Sequence, residues 1–130
     1  MILLDTHVAV WLALTPERIS SGAADAIRQT LTDGDRLCLS AATVFEVANA
    51  IRRGRIQPAI PAPLFLERFK RGFRIVPVSE EIAACAGQLE EPFHGDPMDR
   101  MIAATAIVEN CALLTADERI RDAQVCRTVW

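Results

Sequence analysis

The chain has 130 residues, of which 51% are hydrophobic and 24% are charged, so its composition is that of a globular domain and excludes a disordered or linker protein. It contains no run of about eighteen consecutive apolar residues, so we expect no membrane-spanning helix and no membrane partner. Four widely spaced cysteines form no C-x-x-C pair, which argues against a zinc ribbon or a redox motif and predicts reduced thiols in a cytoplasmic protein.

The net charge of −3 is unevenly distributed along the chain. Residues 52–74 carry seven Arg or Lys side chains against one Glu, whereas the segments on either side are acidic. A basic segment in an acidic protein is a candidate surface for phosphate groups. A solvated, arginine-rich helix face explains the same charges equally well, so the pattern alone leaves both interpretations open.

Short apolar segments alternate with helical patterns, which is typical of a parallel α/β sheet with helices on both faces. We therefore predict one α/β domain over residues 1–130. Its strands are predicted near Ile2–Asp5, Arg36–Ser40, Arg74–Val78, Cys111–Thr115 and Val125–Val129. The first and fourth are nearly unbroken apolar runs, as expected for strands that are covered on both faces.

Capping residues and prolines predict four helices between these strands. They are Ala41–Arg53 after the cap Ser40, a short helix from Pro63 to about Gly72, one from Ser79 to about Leu89, and Met98–Asn110 after Asp96-Pro97. Residues 56–63 contain three prolines and are predicted to be a loop between helices.

Several acidic residues are expected near the carboxyl ends of the strands, where open parallel sheets bind their ligands. These acids are Asp5 at the end of the first strand, Glu46 in the helix after the second, Asp96 and Asp99 at the start of the helix before the fourth, and Asp117 just beyond the fourth. Each has an ordinary explanation as a strand end, a helix cap or a solvent-facing side chain. No single one decides between structure and chemistry.

Considered together, these carboxylates would repel one another and raise one another's pKa values. A hard divalent cation such as Mg²⁺ or Mn²⁺ would relieve the repulsion, activate water and stabilise charge on a phosphoryl oxygen. The sequence offers no set of histidines and cysteines for zinc. We expect His7 and His94 to be loop residues or neighbours of the site and not metal ligands.

The order of the acids resembles the PIN-domain nuclease family, and in particular the VapC-type toxins of bacterial type II toxin–antitoxin pairs. The resemblance covers the whole chain, and it is carried by LLDTH at residues 3–7, HGDPMDRMIAATA at 94–106 and LLTADERI at 113–120. It implies a five-stranded parallel sheet of order 3-2-1-4-5 and a Mg²⁺- or Mn²⁺-dependent endoribonuclease. It also implies a homodimer, and an antitoxin partner whose C-terminal segment lies across the active site.

The resemblance assigns a role to each acid. It makes Asp5 and Asp99 the principal metal ligands and Glu46 and Asp117 the other two catalytic acids, with Asp96 and Asp117 as further candidate ligands. The hydroxyl residues beside the first and fourth acids are Thr6 and Thr115. From their charge and placement, we expect contact with the RNA backbone from Arg52, Arg53 and Arg55, and with a phosphate or an acid from Arg100.

Other phosphate enzymes also begin with an aspartate at a strand end. Haloacid-dehalogenase-like phosphatases need a second aspartate where this chain has His7, and receiver domains need a late lysine, whereas Lys70 is the chain's one lysine. Glycine signatures of P-loop and Rossmann proteins are absent from the sequence. The alternative of a different class is a non-catalytic binding module whose acids are helix caps. Metal binding distinguishes it from the nuclease.

Overall fold

The computed structural model describes residues 1–93 and 95–130. Within these residues the chain forms five strands, seven α-helices and one 3₁₀ helix at Pro16–Arg18. The strands are β1 (Ile2–Leu4), β2 (Leu37–Ser40), β3 (Arg74–Val76), β4 (Ala112–Leu114) and β5 (Thr128–Val129). The helices are α1 (Thr6–Leu14), α2 (Ser21–Thr32), α3 (Ala41–Arg52), α4 (Ala62–Arg71), α5 (Glu80–Gln88), α6 (Pro97–Val108) and α7 (Glu118–Ala123).

The strands form one parallel sheet in the order β3-β2-β1-β4-β5, as expected. At its centre, Leu3 of β1 lies opposite Cys38 of β2 on one side and Leu113 of β4 on the other. All residues of β1 and β4 are buried, which confirms the interpretation of their continuous apolar runs.

The core consists of two layers, one on each face of the sheet. Successive strand residues point to opposite faces, so Leu3 and Leu113 pack against α5, α6 and α7, whereas Leu4 and Leu114 pack against α1 to α4. Helices therefore cover both faces, and the polar residues that follow the strands are left at the edge of the sheet.

The predicted helix caps are present. Ser40 Oγ accepts a hydrogen bond from Ala42 N at 3.2 Å, and Ser79 Oγ accepts one from Ile82 N at 3.1 Å. Asp96 Oδ1 accepts from the backbone N–H groups of both Met98 and Asp99, at 2.9 and 3.1 Å. These side chains satisfy amides that have no partner inside the first turn of a helix.

Three predicted elements extend too far by two residues or more at one end, and the first is the third strand, which ends at Val76 and not at Val78. The helix that was expected to reach Asn110 ends at Val108, because Asn110 has a φ of 50° and cannot continue a right-handed helix. The last strand begins at Thr128 and not at Val125, since Gln124 has a φ of 53° and a bend follows it. Helices α1 and α2 occupy a segment for which no element was predicted.

The order of the strands opens a crevice at one edge of the sheet. The chain moves outward from β1 to β2 and β3 and then returns to the other side of β1 to form β4. At such a switch, the connections that follow the two central strands diverge and leave space at their carboxyl ends. No helix in the part of the chain described here is long and apolar enough to cross a membrane.

Candidate active site

Asp5 is the buried centre of the acidic residues. It directly follows β1 and is only 3% exposed. Its Oδ1 accepts a hydrogen bond from Thr6 N at 2.7 Å, and its Oδ2 accepts one from the Thr115 hydroxyl at 2.8 Å. Burial raises the pKa of Asp5, and these hydrogen bonds oppose the rise without cancelling it. An ionised carboxylate buried in this position destabilises the fold unless a positive charge compensates it.

Glu46 is linked to the surroundings of Asp5 through Thr6, the next residue in the chain. The Thr6 hydroxyl donates to Glu46 Oε1 at 2.6 Å and lies 3.2 Å from Thr43 Oγ1. This contact settles the orientation of Glu46, which the spacing along α3 left open between solvent and site. Burial raises the pKa of Glu46, and the negative charges of Asp5 and Asp96 add to the rise.

Asp99 lies in the first turn of α6, beside the helix cap Asp96. Burial and the surrounding carboxylates raise its pKa from 3.8 to about 7. The contributing charges are those of Asp5, Asp96, Glu46 and Asp117. Each of the expected acids therefore acts on Asp99, which shows that the fold brings them within electrostatic range of one another.

Asp117 differs from the other acids. It caps α7, and Arg119 holds its carboxylate through the backbone N–H at 2.8 Å and the guanidinium Nη2 at 3.0 Å. Burial works against ionisation, but these hydrogen bonds and the positive charge of Arg119 outweigh it and lower the pKa of Asp117. Asp117 N also donates to Thr115 Oγ1 at 3.1 Å, so Thr115 connects the first and fourth acids.

A cavity of about 480 Å³ lies above these residues. Its acidic lining comes from Glu46, Asp96, Asp99 and Asp117. Its basic lining comes from Arg53, Arg55 and Arg119. Cavities that combine several carboxylates with basic side chains are suited to binding a cation together with a phosphate group.

The donor set fits a hard divalent cation. Four carboxylates and one histidine, His7, line the cavity, and a set dominated by carboxylate oxygens suits Mg²⁺ and Mn²⁺ better than zinc. A positive ion would also remove the repulsion that raises the pKa of Asp99. In residues 1–93 and 95–130, no three His, Cys, Asp or Glu side chains are arranged so that they could hold a metal ion as they stand, and the Asp117 carboxylate is bound by Arg119.

The basic residues that the sequence singled out separate into three groups. Arg53 and Arg55 line the cavity, whereas the Arg52 guanidinium donates to Asn49 Oδ1 at 2.7 Å. Arg100 donates from Nε to Ala86 O at 2.9 Å and from Nη2 to Leu89 O, and its expected contact with a phosphate or an acid stays a prediction. These carbonyls end α5, so this arginine joins α5 to the start of α6.

Of the two histidines, His7 lies within the described residues. His7 is exposed and lines the cavity, 6.1 Å from the ring of Trp11. His94 lies outside the described residues. Among the cavity residues that sequence reasoning missed are Trp11 and Arg119. The position of Arg119 two residues after Asp117 was the available signal, because a side chain in the first turn can reach back to its N-cap.

Comparison with known proteins identifies the family of this chain. The family model described as "PIN domain" matches residues 2–125. Ribonuclease VapC22 of Mycobacterium tuberculosis is 40% identical over 131 residues, which cover 99% of this chain and 98% of that protein.

Solved structures of low sequence identity share the fold. VapBC2 from Rickettsia felis, bound to a promoter DNA fragment, has a TM-score of 0.74 at 17% identity and covers 98% of this chain and 97% of the other. FitAcB from Neisseria gonorrhoeae has a TM-score of 0.70 at 24% identity, with coverages of 98% and 96%. A toxin–antitoxin complex from Klebsiella pneumoniae has a TM-score of 0.60 at 22% identity, with coverages of 90% and 87%. The chain belongs to the PIN-domain family.

Proposed function

We propose that this protein is a metal-dependent endoribonuclease and the toxin of a bacterial toxin–antitoxin pair. The observation that carries the proposal is the convergence of Asp5, Glu46, Asp99 and Asp117 at one edge of a PIN-domain sheet. The relative from Mycobacterium tuberculosis is named a ribonuclease, and one structural relative is described as a toxin–antitoxin complex. Hydrolysis of an RNA phosphodiester is the reaction that agrees with both.

The acids would hold a divalent cation, Mg²⁺ or Mn²⁺, with Asp5 and Asp99 as the principal ligands and Asp96 and Asp117 as further donors. When bound, the cation would supply positive charge at the phosphodiester and an activated water. Each Asp5 oxygen accepts one hydrogen bond and has a second lone pair for a cation. The Thr115 and Thr6 contacts fix the orientation of that carboxylate before any ligand arrives.

Asp99 would lose a proton when the cation binds, and Glu46 would take up the proton that the reaction releases. Asp99 is half-protonated near pH 7, so it releases its proton as positive charge enters the site. Glu46 lines the cavity and its pKa is raised, which suits it to take a proton from the attacking water. Thr6, hydrogen-bonded to Glu46, orients that carboxylate for the transfer.

Arg53 and Arg55 would bind the RNA backbone. Both line the cavity just beyond the end of α3, the helix that carries Glu46. Arginine contacts to phosphate provide affinity and position without sequence information. The choice of RNA sequence would then depend on other surfaces of the protein.

The proposed partners are an antitoxin and a second copy of this chain. The structural relatives include VapBC2 from Rickettsia felis and a toxin–antitoxin complex from Klebsiella pneumoniae, which supports an antitoxin partner. Phe45 borders the cavity and is 59% exposed, so a protein covering the site would bury it. The homodimer rests on the family resemblance, and light scattering of the purified chain would test it. A protein that acts on RNA and binds an antitoxin would work in the cytoplasm, which is the location we propose.

RNA cleavage by the purified full chain tests this function. The variant is Asp99→Asn, and the matched control is Asp122→Asn, since Asp122 is exposed on α7 and does not line the cavity. The wild type and the control should cleave end-labelled single-stranded RNA in Mn²⁺ but not in EDTA. Asp99→Asn should be slower by about 100-fold or more, because it loses a principal metal ligand.

Two results would contradict the proposal. Cleavage that persists in EDTA, or that is equally fast in Asp99→Asn, would show that the acids are not catalytic. A wild type that neither cleaves RNA nor gains thermal stability from Mn²⁺ would favour the non-catalytic binding module. In a bacterial host, induction of the wild type alone should arrest growth, and induction of Asp99→Asn should not.

A further inference from the structure

Arg119 holds the fourth acid of the site with its own side chain. Its Nη2 lies 3.0 Å from Asp117 Oδ2, and its Nε lies 3.4 Å from Asp117 Oδ1. Both carboxylate oxygens are therefore engaged by one guanidinium. Capping of α7 does not require this contact, because the backbone N–H of Arg119 already binds Asp117 Oδ1 at 2.8 Å. The side-chain pair is an addition to the cap.

The same guanidinium lies at the candidate active site. Arg119 lines the cavity together with Glu46 and Asp99. The contact with Asp117, followed by the charges of Asp99 and Asp96, raises the pKa of Arg119. Its side chain is 67% exposed, so packing does not confine it to this conformation. An exposed arginine changes rotamer within nanoseconds, so its carboxylate partner can be exchanged for another anion without movement of the backbone.

We propose that Arg119 is a positioning residue that exchanges the carboxylate of Asp117 for a phosphate of the RNA when substrate binds. The inference rests on the proposed ribonuclease function and extends it to a residue outside the four acids. A guanidinium fork matches carboxylate and phosphate equally well in geometry. Once Arg119 has moved to the phosphate, Asp117 becomes available to the acid cluster and to its cation.

This exchange predicts effects of opposite sign in one variant. In the absence of RNA, Arg119 competes with a cation for Asp117, so Arg119→Ala should bind the cation more tightly. In the presence of RNA, Arg119 contributes a phosphate contact, so Arg119→Ala should bind RNA more weakly. A residue that only stabilised α7 would weaken both or change neither.

The first experiment titrates the full chain with Mn²⁺ by calorimetry, without RNA. Arg119→Ala should lower the dissociation constant by about two- to fivefold, the range that one exposed ion pair accounts for. Arg121→Ala is the matched control, because Arg121 is exposed on the same helix and does not line the cavity. It removes the same charge and should leave Mn²⁺ affinity close to that of the wild type.

The second experiment measures RNA affinity across a salt series, with Ca²⁺ in place of Mn²⁺ to suppress cleavage. Arg119→Ala should reduce the slope of log affinity against log salt by about 0.7, the value of one phosphate contact on a single strand. Arg119→Lys should retain the slope, since it keeps the charge, but should bind Mn²⁺ more tightly than the wild type, since an ammonium cannot hold both Asp117 oxygens.

The outcomes separate this inference from the function on which it rests. If the wild type neither binds Mn²⁺ nor cleaves RNA, the proposed function fails and this inference fails with it. If the wild type does both, but Arg119→Ala matches Arg121→Ala in Mn²⁺ affinity and salt slope, only the exchange is wrong. Weaker Mn²⁺ binding by Arg119→Ala would also overturn it.

Discussion

Asp99 should destabilise the metal-free protein at neutral and alkaline pH. In the unfolded chain its carboxyl ionises near 3.8, whereas in the fold it keeps its proton up to about pH 7, because burial and the neighbouring acids disfavour the charge. Between these two values, the unfolded state has already lost a proton that the folded state still holds. The free energy of unfolding therefore falls as pH rises from about 4 to 7, and the loss is complete above pH 7.

The size of the effect follows from the shift and from the exposure of Asp99. A shift of about three pKa units corresponds to roughly 4 kcal/mol without screening. Asp99 is only partly buried, and solvent weakens its interaction with the other charges. Its place in the first turn of α6 favours the ionised form by about 0.5 kcal/mol, which is too little to reverse the sign. We expect a net penalty of about 2 kcal/mol at pH 8.

Asp99→Asn removes the charge and keeps the shape of the side chain. In EDTA at pH 8, this variant should be more stable than the wild type by about 2 kcal/mol, and the difference should shrink toward pH 4. Saturating Mn²⁺ should reverse the order, because the wild type gains about 2.7 kcal/mol at one hundred times Kd and the variant gains much less. Urea unfolding with and without EDTA at several pH values measures each quantity.

Asp122→Asn is the control for removal of a carboxylate elsewhere on the surface. It should show neither the gain at pH 8 nor the loss in Mn²⁺. If Asp99→Asn is no more stable than the wild type in EDTA at pH 8, the repulsion inferred among the acids does not exist. A gain that is equally large at pH 4 and pH 8 would show that side-chain packing, and not charge, is responsible.

Two further predictions concern the surroundings of the acids. Arg53→Ala/Arg55→Ala should reduce the salt slope of RNA binding by about 1.4, whereas Arg52→Ala should leave it unchanged because Arg52 does not line the cavity. Affinities across a salt series measure this, and an equal reduction by Arg52→Ala would contradict it. Thr115→Val should lower the free energy of unfolding by about 2–3 kcal/mol, since it removes the hydroxyl that Asp5 and the Asp117 amide share. Urea unfolding measures the loss, and Thr115→Ser, which keeps the hydroxyl, should retain the stability.

The sheet was predictable because its signals are local and redundant. β1 and β4 are unbroken apolar runs, and α3 and α6 each follow a clear cap residue. Helix α1 gave no such signal, because its residues are apolar on more than one side. Val8 packs against the sheet, while Val10 and Trp11 line the cavity. The periodicity that marks an amphipathic helix is therefore hidden where the second apolar face belongs to the site.

The acids could be identified from the sequence, but it could not be predicted which of them is protonated and which is paired with an arginine. The residue type and the strand order place Asp99 and Asp117 near each other, and nothing in the spacing tells a protonated carboxyl from a paired one. The difference depends on the direction of one long side chain, that of Arg119, whose choice among partners is decided by the folded surroundings. The contacts of Arg100 with Ala86 O and Leu89 O could not be predicted for the same reason, because these carbonyls come from a helix end eleven to fourteen residues away.

The opposite pKa shifts of Asp99 and Asp117 show how one cluster can remain folded without its cation. Asp117 is compensated by a fixed positive charge and remains ionised, whereas Asp99 is compensated by a proton and becomes neutral. Both devices reduce the same repulsion, and both are reversible in the proposed mechanism: Asp99 would lose its proton when a cation arrives, and Arg119 would leave Asp117 when another anion is offered. The proton and Arg119 thus limit the destabilisation that the acids cause in the metal-free protein, and a bound cation would reduce it further. The binding of cation and RNA would then remove both substitutes from the positions that the proposed reaction needs.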